Sequence, residues 1–223
     1  MGDSKLLKRI RVARRDLGNL LFHFTRDRYA SGQTKPEATA SQVLREILRD
    51  GYLRGSTNLI KGSHKCICFT EAPISEIAAL FQLASIAADE SERPKYEPYG
   101  IAVTKERLFN FGGRHVIYEP DSEYEKLPGE FRYRHVRYEP NESIDFTWER
   151  EWRVKADQLP LNPKQTLVVV PTSQEAFDLM FEMARWEAEF DEFGSPEIGC
   201  PELKWLVVSL DFFGLPKGDI SQS

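Results

Sequence analysis

The apolar residues of this chain come in short runs, and this pattern limits the folds that the chain can form. Six runs of four to eight residues are rich in β-branched and aromatic residues, which is typical of strands. They are LLFHFT (20–25), KCICFT (65–70), YGIAVT (99–104), HVIY (115–118), TLVVV (166–170) and LKWLVVSL (203–210). None approaches the roughly 20 apolar residues of a membrane span. EREWRVK (149–155) is also predicted to be a strand, whereas FRYRHVRY (131–138) permits either a strand or an exposed segment.

Helices are predicted between these runs. Ala40 opens a stretch with apolar residues at 3.6-residue spacing, and Gly51 ends it. Pro73 suits the first turn of a second helix. A short helix is predicted at 105–110 and a longer one at 173–190, with Ser173 as its N-cap. Strict alternation of strands and helices breaks down in the second half, which favours an α+β fold with a mixed or antiparallel sheet flanked by helices.

The length and the charge balance set further limits. The 223 residues are enough for a single domain, which we place at 20–216, between a basic helical segment at 1–19 and a loose tail at 217–223. Thirty basic residues against 35 acidic ones give a net charge of −5. This balance disfavours an overall cationic nucleic-acid binder but allows a local basic patch.

The cysteines indicate a reducing compartment and no metal centre. An odd count of three, Cys66, Cys68 and Cys200, does not suit a disulfide framework, so we expect a cytoplasmic protein. Cys66 and Cys68 share one face of a predicted strand near His64, but no second ligand pair has the spacing of a zinc site. The glycine-rich nucleotide-binding motifs are also absent from the sequence.

One segment mixes basic and aromatic side chains. Its members are Arg132, Tyr133, Arg134, Arg137 and Tyr138. Cations can meet phosphates and rings can stack on bases, so the segment is a candidate patch for nucleic acid or another partner. A solvated, salt-bridged edge strand explains the same composition.

Two local features are candidates for chemistry. In a strand, Glu149 and Glu151 lie on one face, either as part of a solvated edge or as carboxylates that stabilise a developing positive charge. His23 lies between Phe22 and Phe24 and points to the opposite face. It is either a structural histidine bonded to backbone or a residue that faces a cleft.

Five blocks, in order, resemble the AbiGi family of abortive phage-infection proteins. They are LLFHFT (20–25), ILRDGY (47–52), CICFTEAPISE (66–76), YGIAVTKERLFNFGGRHVIYE (99–119) and EREWRV (149–154). That family is labelled as an antitoxin or phage-resistance component, so the resemblance implies bacterial antiviral defence. A non-catalytic antitoxin that binds a cognate toxin is one form of such a component.

The strand order also resembles the ADP-ribosyltransferase fold, a split, curved sheet that binds NAD in a cleft. That resemblance maps the family's site onto His23, Thr70 and Glu151, with Glu149 as the first member of a Glu-x-Glu pair. It implies that Glu151 stabilises the cation formed when nicotinamide leaves. Glu149 is then the general base for the incoming nucleophile.

The same resemblance implies the remaining contacts to NAD. His23 bonds a ribose hydroxyl, and Thr70 with the Phe69 backbone positions the ribose on the nicotinamide side. Tyr99 or Phe81 stacks on the nicotinamide ring. Arg54 or Arg28 binds the pyrophosphate. The acceptor of the ADP-ribose group is expected to be a nucleic acid or a protein.

Overall fold

The structure is a computed structural model that describes residues 18–87, 96–188 and 204–213. The predicted tail at 217–223 and nearly all of the segment at 1–19 lie outside these residues. The described helices are α1 (Ala40–Asp50), α2 (Ile74–Ala87), α3 (Lys105–Asn110) and α4 (Ser173–Ala188). The described strands are β1 (Leu20–Phe24), β2 (Tyr52–Arg54), β3 (Cys66–Thr70), β4 (Gly100–Thr104), β5 (Arg114–His115), β6 (Ile117–Glu119), β7 (His135–Arg137), β8 (Glu151–Lys155), β9 (Gln158–Pro160), β10 (Thr166–Val170) and β11 (Leu206–Ser209).

Seven of the described strands form a mixed sheet, which confirms the α+β prediction. Its order is β11-β10-β4-β1-β3-β8-β5. Strand β3 is antiparallel to both β1 and β8, and β5 is antiparallel to β8. Strands β10 and β11 are parallel. Two small sheets pair β2 with β9 and β6 with β7.

The chain forms two compact units, each assembled from separate stretches. The described part of the first unit is 18–23, 53–76 and 103–159. The described part of the second is 24–52, 77–87, 96–102, 160–188 and 204–213. Within the first unit, Ile60, Cys66 and Tyr133 form a cluster of buried apolar side chains.

Helix α1, in the second unit, shows why the local sequence signals work. The Thr39 hydroxyl accepts a hydrogen bond from the Gln42 backbone N–H, and the Gln42 side chain accepts one from the Thr39 N–H. This reciprocal cap satisfies two N–H groups that the helix itself leaves unpaired. Gly51 ends the helix at φ 75°, a left-handed conformation that suits glycine. Both predicted ends of this helix are confirmed.

Two predictions about local structure are wrong, and the segment at 131–138, for which the sequence permits a strand or an exposed segment, is only partly a strand. The run at 115–118 is not one strand, because the Val116 N–H donates to the Glu151 carbonyl oxygen and separates β5 from β6. The segment at 131–138 forms a 3₁₀ turn followed by the short strand β7. Ser173 is the first residue of α4 rather than its cap, since the preceding Thr172 hydroxyl accepts the Glu175 N–H.

Gly55, which follows β2, lies against backbone in the first unit. Its N–H donates to the Asp157 carbonyl oxygen, and a Cβ at this position would lie 2.1 Å from the Ala156 carbonyl oxygen. We expect Gly55→Ala to lower the free energy of unfolding by about 1–3 kcal/mol, because the backbone has to shift. Urea unfolding measures the change. Gly129→Ala is the control, since a Cβ there meets no atom within 4 Å. Equal unfolding midpoints for the two variants would contradict the close approach.

Candidate functional site

Charged side chains are buried together in the first unit, where the end of β3 meets the start of β8. Of the described residues, the buried glutamates are Glu71, Glu149 and Glu151, and the buried arginine is Arg153. The antiparallel register pairs Thr70 with Glu151, so both strand ends lie side by side. A buried charge is costly unless it is paired, and such clusters are candidates for functional sites.

A left-handed residue creates the connection into β8. Arg150 has φ 46° and separates the 3₁₀ turn Thr147–Glu149 from the strand. The prediction that Glu149 and Glu151 lie on one face of a single strand is therefore wrong, because the strand begins at Glu151. A non-glycine residue in this conformation costs on the order of 1–3 kcal/mol, and such strain clusters at functional sites.

Thr70 fixes the position of Glu149 relative to β3. Its hydroxyl donates to the Glu149 carbonyl oxygen at 2.5 Å, and the Glu71 N–H donates to the same oxygen at 3.3 Å. The Thr70 hydroxyl also accepts the Ala72 N–H at 3.1 Å. Thr70 thus joins the end of β3 to the turn that precedes β8, next to the Glu149 backbone and directly opposite Glu151 in the register.

Arg153 binds the Glu151 side chain with two hydrogen bonds. The Arg153 Nε lies 2.8 Å from Glu151 Oε1, and Nη2 lies 3.2 Å from Oε2. The Arg153 Nη1 donates to the carbonyl oxygens of Tyr133 and His135. Burial disfavours the charged guanidinium, but the Glu151 carboxylate outweighs burial and raises the pKa of Arg153. The Glu151 carboxylate is therefore held in one orientation.

The pKa values of two groups next to Glu151, the Cys68 thiol and the Tyr118 hydroxyl, are also raised. Burial, followed by the charge of Glu151, raises the pKa of the Cys68 thiol well above its usual value. Burial also raises the pKa of Tyr118 to about 12, and the Tyr118 hydroxyl oxygen accepts the Glu151 N–H at 3.0 Å. At neutral pH, both groups are thus protonated neighbours of the carboxylate.

His23 lies on the other face of the sheet. The register pairs Phe22 with Thr70, so Phe22 and Thr70 share a face with Glu151 and the alternate residue His23 points away from them. The His23 Nδ1 lies 2.8 Å from the Cys68 carbonyl oxygen, and its ring lies 5.6 Å from the Phe69 ring. Burial lowers the pKa of His23. The structure thus brings Thr70 and Glu151 together and pairs His23 with Phe69 instead.

Arg54, Tyr99 and Arg28, which are also predicted to bind NAD, do not lie together in one unit. Arg54 is exposed on β2. Tyr99 belongs to the second unit, where its hydroxyl donates to Glu175 Oε1 at 2.9 Å and burial raises its pKa. Arg28, in the same unit, forms two hydrogen bonds with the Glu46 carboxylate at 2.8 and 3.0 Å. Tyr99 and Arg28 therefore each have a partner within their own unit.

The arginines of the basic and aromatic segment have partners inside the first unit. The Arg132 side chain donates to the Leu127 and Glu125 carbonyl oxygens. Arg134 donates to the His115 carbonyl oxygen at 2.7 Å, and Arg137 pairs with the carboxylates of Glu139 and Glu142. Tyr133 is buried and Tyr138 half-buried. Arg132 and Arg137 thus form ion pairs with neighbouring glutamates, and Arg134 binds a backbone carbonyl oxygen.

The sequence did not single out a second group around Glu71. Its carboxylate forms an ion pair with Lys105 and accepts a hydrogen bond from the Trp152 Nε1 at 2.8 Å. The His115 Nε2 lies 3.9 Å from Glu71 Oε2. The only local signal is a glutamate directly after an apolar strand, because its partners come from distant parts of the chain.

Two kinds of feature are absent from the described residues. In these residues, no group of three or more histidine, cysteine, aspartate or glutamate side chains is arranged to hold a metal ion. None of the described helices combines the length and apolarity needed to cross a bilayer. Comparison with protein-family models, curated proteins and solved structures finds no match.

Proposed function

We propose that this chain is an effector of bacterial anti-phage defence that transfers the ADP-ribose group of NAD to a macromolecule. The observation that supports the proposal is the burial of Glu149 and Glu151 beside Thr70. When nicotinamide leaves NAD, positive charge develops at the anomeric carbon of the ribose. A carboxylate fixed in advance in a water-poor site stabilises that charge, as carboxylates do in glycoside hydrolysis.

The residues have distinct parts in this proposal. Glu151, oriented by its two hydrogen bonds from Arg153, faces the developing cation. Glu149 adds a second negative charge at the same strand end, and Thr70 fixes its backbone. The C–N bond to nicotinamide breaks, nicotinamide leaves with the electron pair, and the acceptor nucleophile bonds to the anomeric carbon. His23 positions β3 through the Cys68 carbonyl and the Phe69 ring.

The acceptor in this proposal is a nucleic acid or a protein in the cytoplasm. Three arginines that the sequence offered for phosphate binding, Arg132, Arg134 and Arg137, already contact the protein itself. The identity of the acceptor therefore does not rest on that segment. The acceptor has to bring a nucleophile to the buried carboxylates. A flexible protein side chain or an unpaired base is best suited to do so.

A thermal unfolding titration tests whether the chain binds NAD. A ligand that binds the folded protein at 100 times its Kd adds about 2.7 kcal/mol to the free energy of unfolding. We expect saturating NAD to raise the Tm by roughly 5–10 °C for a chain of this size. ATP, which lacks the nicotinamide riboside, is the control and should give a smaller shift. A Tm that stays constant up to millimolar NAD would contradict the proposal.

A non-catalytic, partner-binding protein is the second candidate, and exposed aromatic side chains favour it. In the second unit, Phe177 and Phe181 lie four residues apart on α4 and are 62% and 59% exposed. Residues at this spacing lie on one helix face, and exposed aromatics of this kind are frequent in interfaces. This candidate predicts no shift with NAD and a stable complex with a toxin encoded next to it.

A further inference from the structure

Three phenylalanine rings of the first unit are partly exposed, and an arginine guanidinium lies over each of them. The distances from the guanidinium carbon to the ring centre are 4.0 Å for Arg114 and Phe109, 5.2 Å for Arg107 and Phe111, and 5.7 Å for Arg134 and Phe131. At such distances a cation is attracted to the face of the ring. The three rings are 51%, 43% and 41% exposed, in the same order. We call these residues the arginine–phenylalanine surface.

A tight connection between α3 and β5 holds the Arg114–Phe109 pair together. The Gly113 N–H donates to the Leu108 carbonyl oxygen at 2.8 Å, and a Cβ at Gly113 would lie 2.7 Å from that oxygen. This close approach brings Arg114, the first residue of β5, back against the end of α3. The Arg114 Nη1 then donates to the Phe109 carbonyl oxygen at 3.0 Å.

Arg134 connects the Phe131 pair to the same strand. Its Nε donates to the His115 carbonyl oxygen at 2.7 Å, and His115 directly follows Arg114 on β5. Strand β5 ends the strand order of the seven-stranded sheet. The three pairs are thus linked through α3, the turn that follows it, and this last strand.

Two of these arginines bind uncharged acceptors, so their positive charge is not neutralised by an ion pair. Among the described residues, the hydrogen-bond acceptors of Arg114 and Arg134 are backbone carbonyl oxygens. Arg137, by contrast, pairs with the carboxylates of Glu139 and Glu142. Arg114 donates through Nη1 and Arg134 through Nε, which leaves further guanidinium N–H groups that can bind a phosphate.

We propose that the arginine–phenylalanine surface binds single-stranded nucleic acid. A single strand offers a phosphate and an unpaired base at every nucleotide, so guanidinium groups contact the backbone and exposed rings stack on bases. An acidic protein segment offers carboxylates but no planar bases to match the rings. The chain has a net charge of −5, so binding depends on this local surface. The inference goes beyond the proposed function, because binding requires no transfer of ADP-ribose.

Fluorescence anisotropy of a labelled single-stranded RNA, about 20 nucleotides long and without NAD, tests the charge contacts. We expect log K to fall linearly with log salt concentration, with a slope of about −0.7 for each phosphate contacted. Arg114→Gln should make the slope smaller in magnitude by about 0.7, whereas Arg114→Lys keeps the charge and should keep the slope. Arg137→Gln is the matched control and should bind like the wild type, since Arg137 already pairs with two carboxylates.

A second substitution tests the contribution of the rings. Phe109→Ala should weaken binding of the single strand about 10-fold, because it removes a stacking partner for a base. Phe212→Ala is the control, since Phe212 is 80% exposed but belongs to the second unit, and it should leave the affinity unchanged. A duplex of the same sequence should bind more weakly than the single strand, because its bases are already paired and stacked.

Several results would overturn the inference. One is a wild type that does not bind the single strand at low salt, and another is unchanged affinity and salt slope in both Phe109→Ala and Arg114→Gln. Polyglutamate that competes as well as unlabelled RNA would instead assign the surface to an acidic protein. Thermal unfolding establishes that each variant is folded, and if Phe109→Ala is not, the Arg114→Gln and Arg114→Lys slopes decide. Since no measurement uses NAD, failure here is distinct from failure of the proposed function.

Discussion

Arg153→Met is expected to lower the free energy of unfolding by about 3–5 kcal/mol. The substitution removes the partner of a buried carboxylate, and an unpaired buried charge carries a penalty of this size. Arg153 is 4% exposed, and its guanidinium donates to Glu151 and to the Tyr133 and His135 carbonyl oxygens. Urea unfolding followed by tryptophan fluorescence measures the change.

Two further variants distinguish the stability lost with the buried Glu151–Arg153 ion pair from the effect of removing any positive charge. Lys155→Met removes a cation from an exposed position on the same strand and should change stability by less than about 0.5 kcal/mol. Adding Glu151→Leu to Arg153→Met should restore part of the lost stability, because no carboxylate is then left unpaired. If Arg153→Met costs no more than Lys155→Met, the buried pair does not form as described.

Short-range patterns predicted most of the elements. Helix α3 and strand β10 have the predicted ends, and β1, β3 and β4 differ from the predictions by one residue. These elements depend on apolar spacing and on caps such as Thr104, whose hydroxyl accepts the Arg107 N–H. Such signals lie within a few residues of each other, so the sequence displays them directly.

The failed predictions involve contacts between distant residues. Nothing near Val116 indicates that its N–H will bind the Glu151 carbonyl oxygen and interrupt the predicted strand. Likewise, no local pattern in EREWRVK marks Arg150 as left-handed, because the turn forms only where Glu149 meets the Thr70 hydroxyl. Register and strand order are tertiary properties, and they override local propensity at these two positions.

The residues of the candidate site also differ in how far the sequence alone predicts them. Glu149 and Glu151 stand out in the sequence because two carboxylates flank a single residue in a short segment. Glu71 does not stand out, since its partners Lys105 and Trp152 lie 34 and 81 positions further along the chain.

Glu151→Gln is expected to reduce nicotinamide release from NAD by about 10²–10³-fold. The amide keeps the size of the side chain and its oxygen can still accept one hydrogen bond from Arg153, but it lacks the negative charge that stabilises the ribose cation. Removal of one preorganised electrostatic group has an effect of this size in other enzymes. Glu149→Gln is expected to reduce the rate as well, by a smaller factor, since Glu149 adds charge without facing the cation.

The most direct test is to quantify the nicotinamide that the purified chain releases from NAD, for the wild type, Glu151→Gln and the control Glu76→Gln. Glu76 is exposed on α2, so its substitution removes one carboxylate without changing the site. Circular dichroism spectra of the three proteins establish that each is folded. The proposed function predicts equal release by the wild type and Glu76→Gln and a loss of about 10²–10³-fold in Glu151→Gln. Equal release by all three, or none by the wild type, would contradict it.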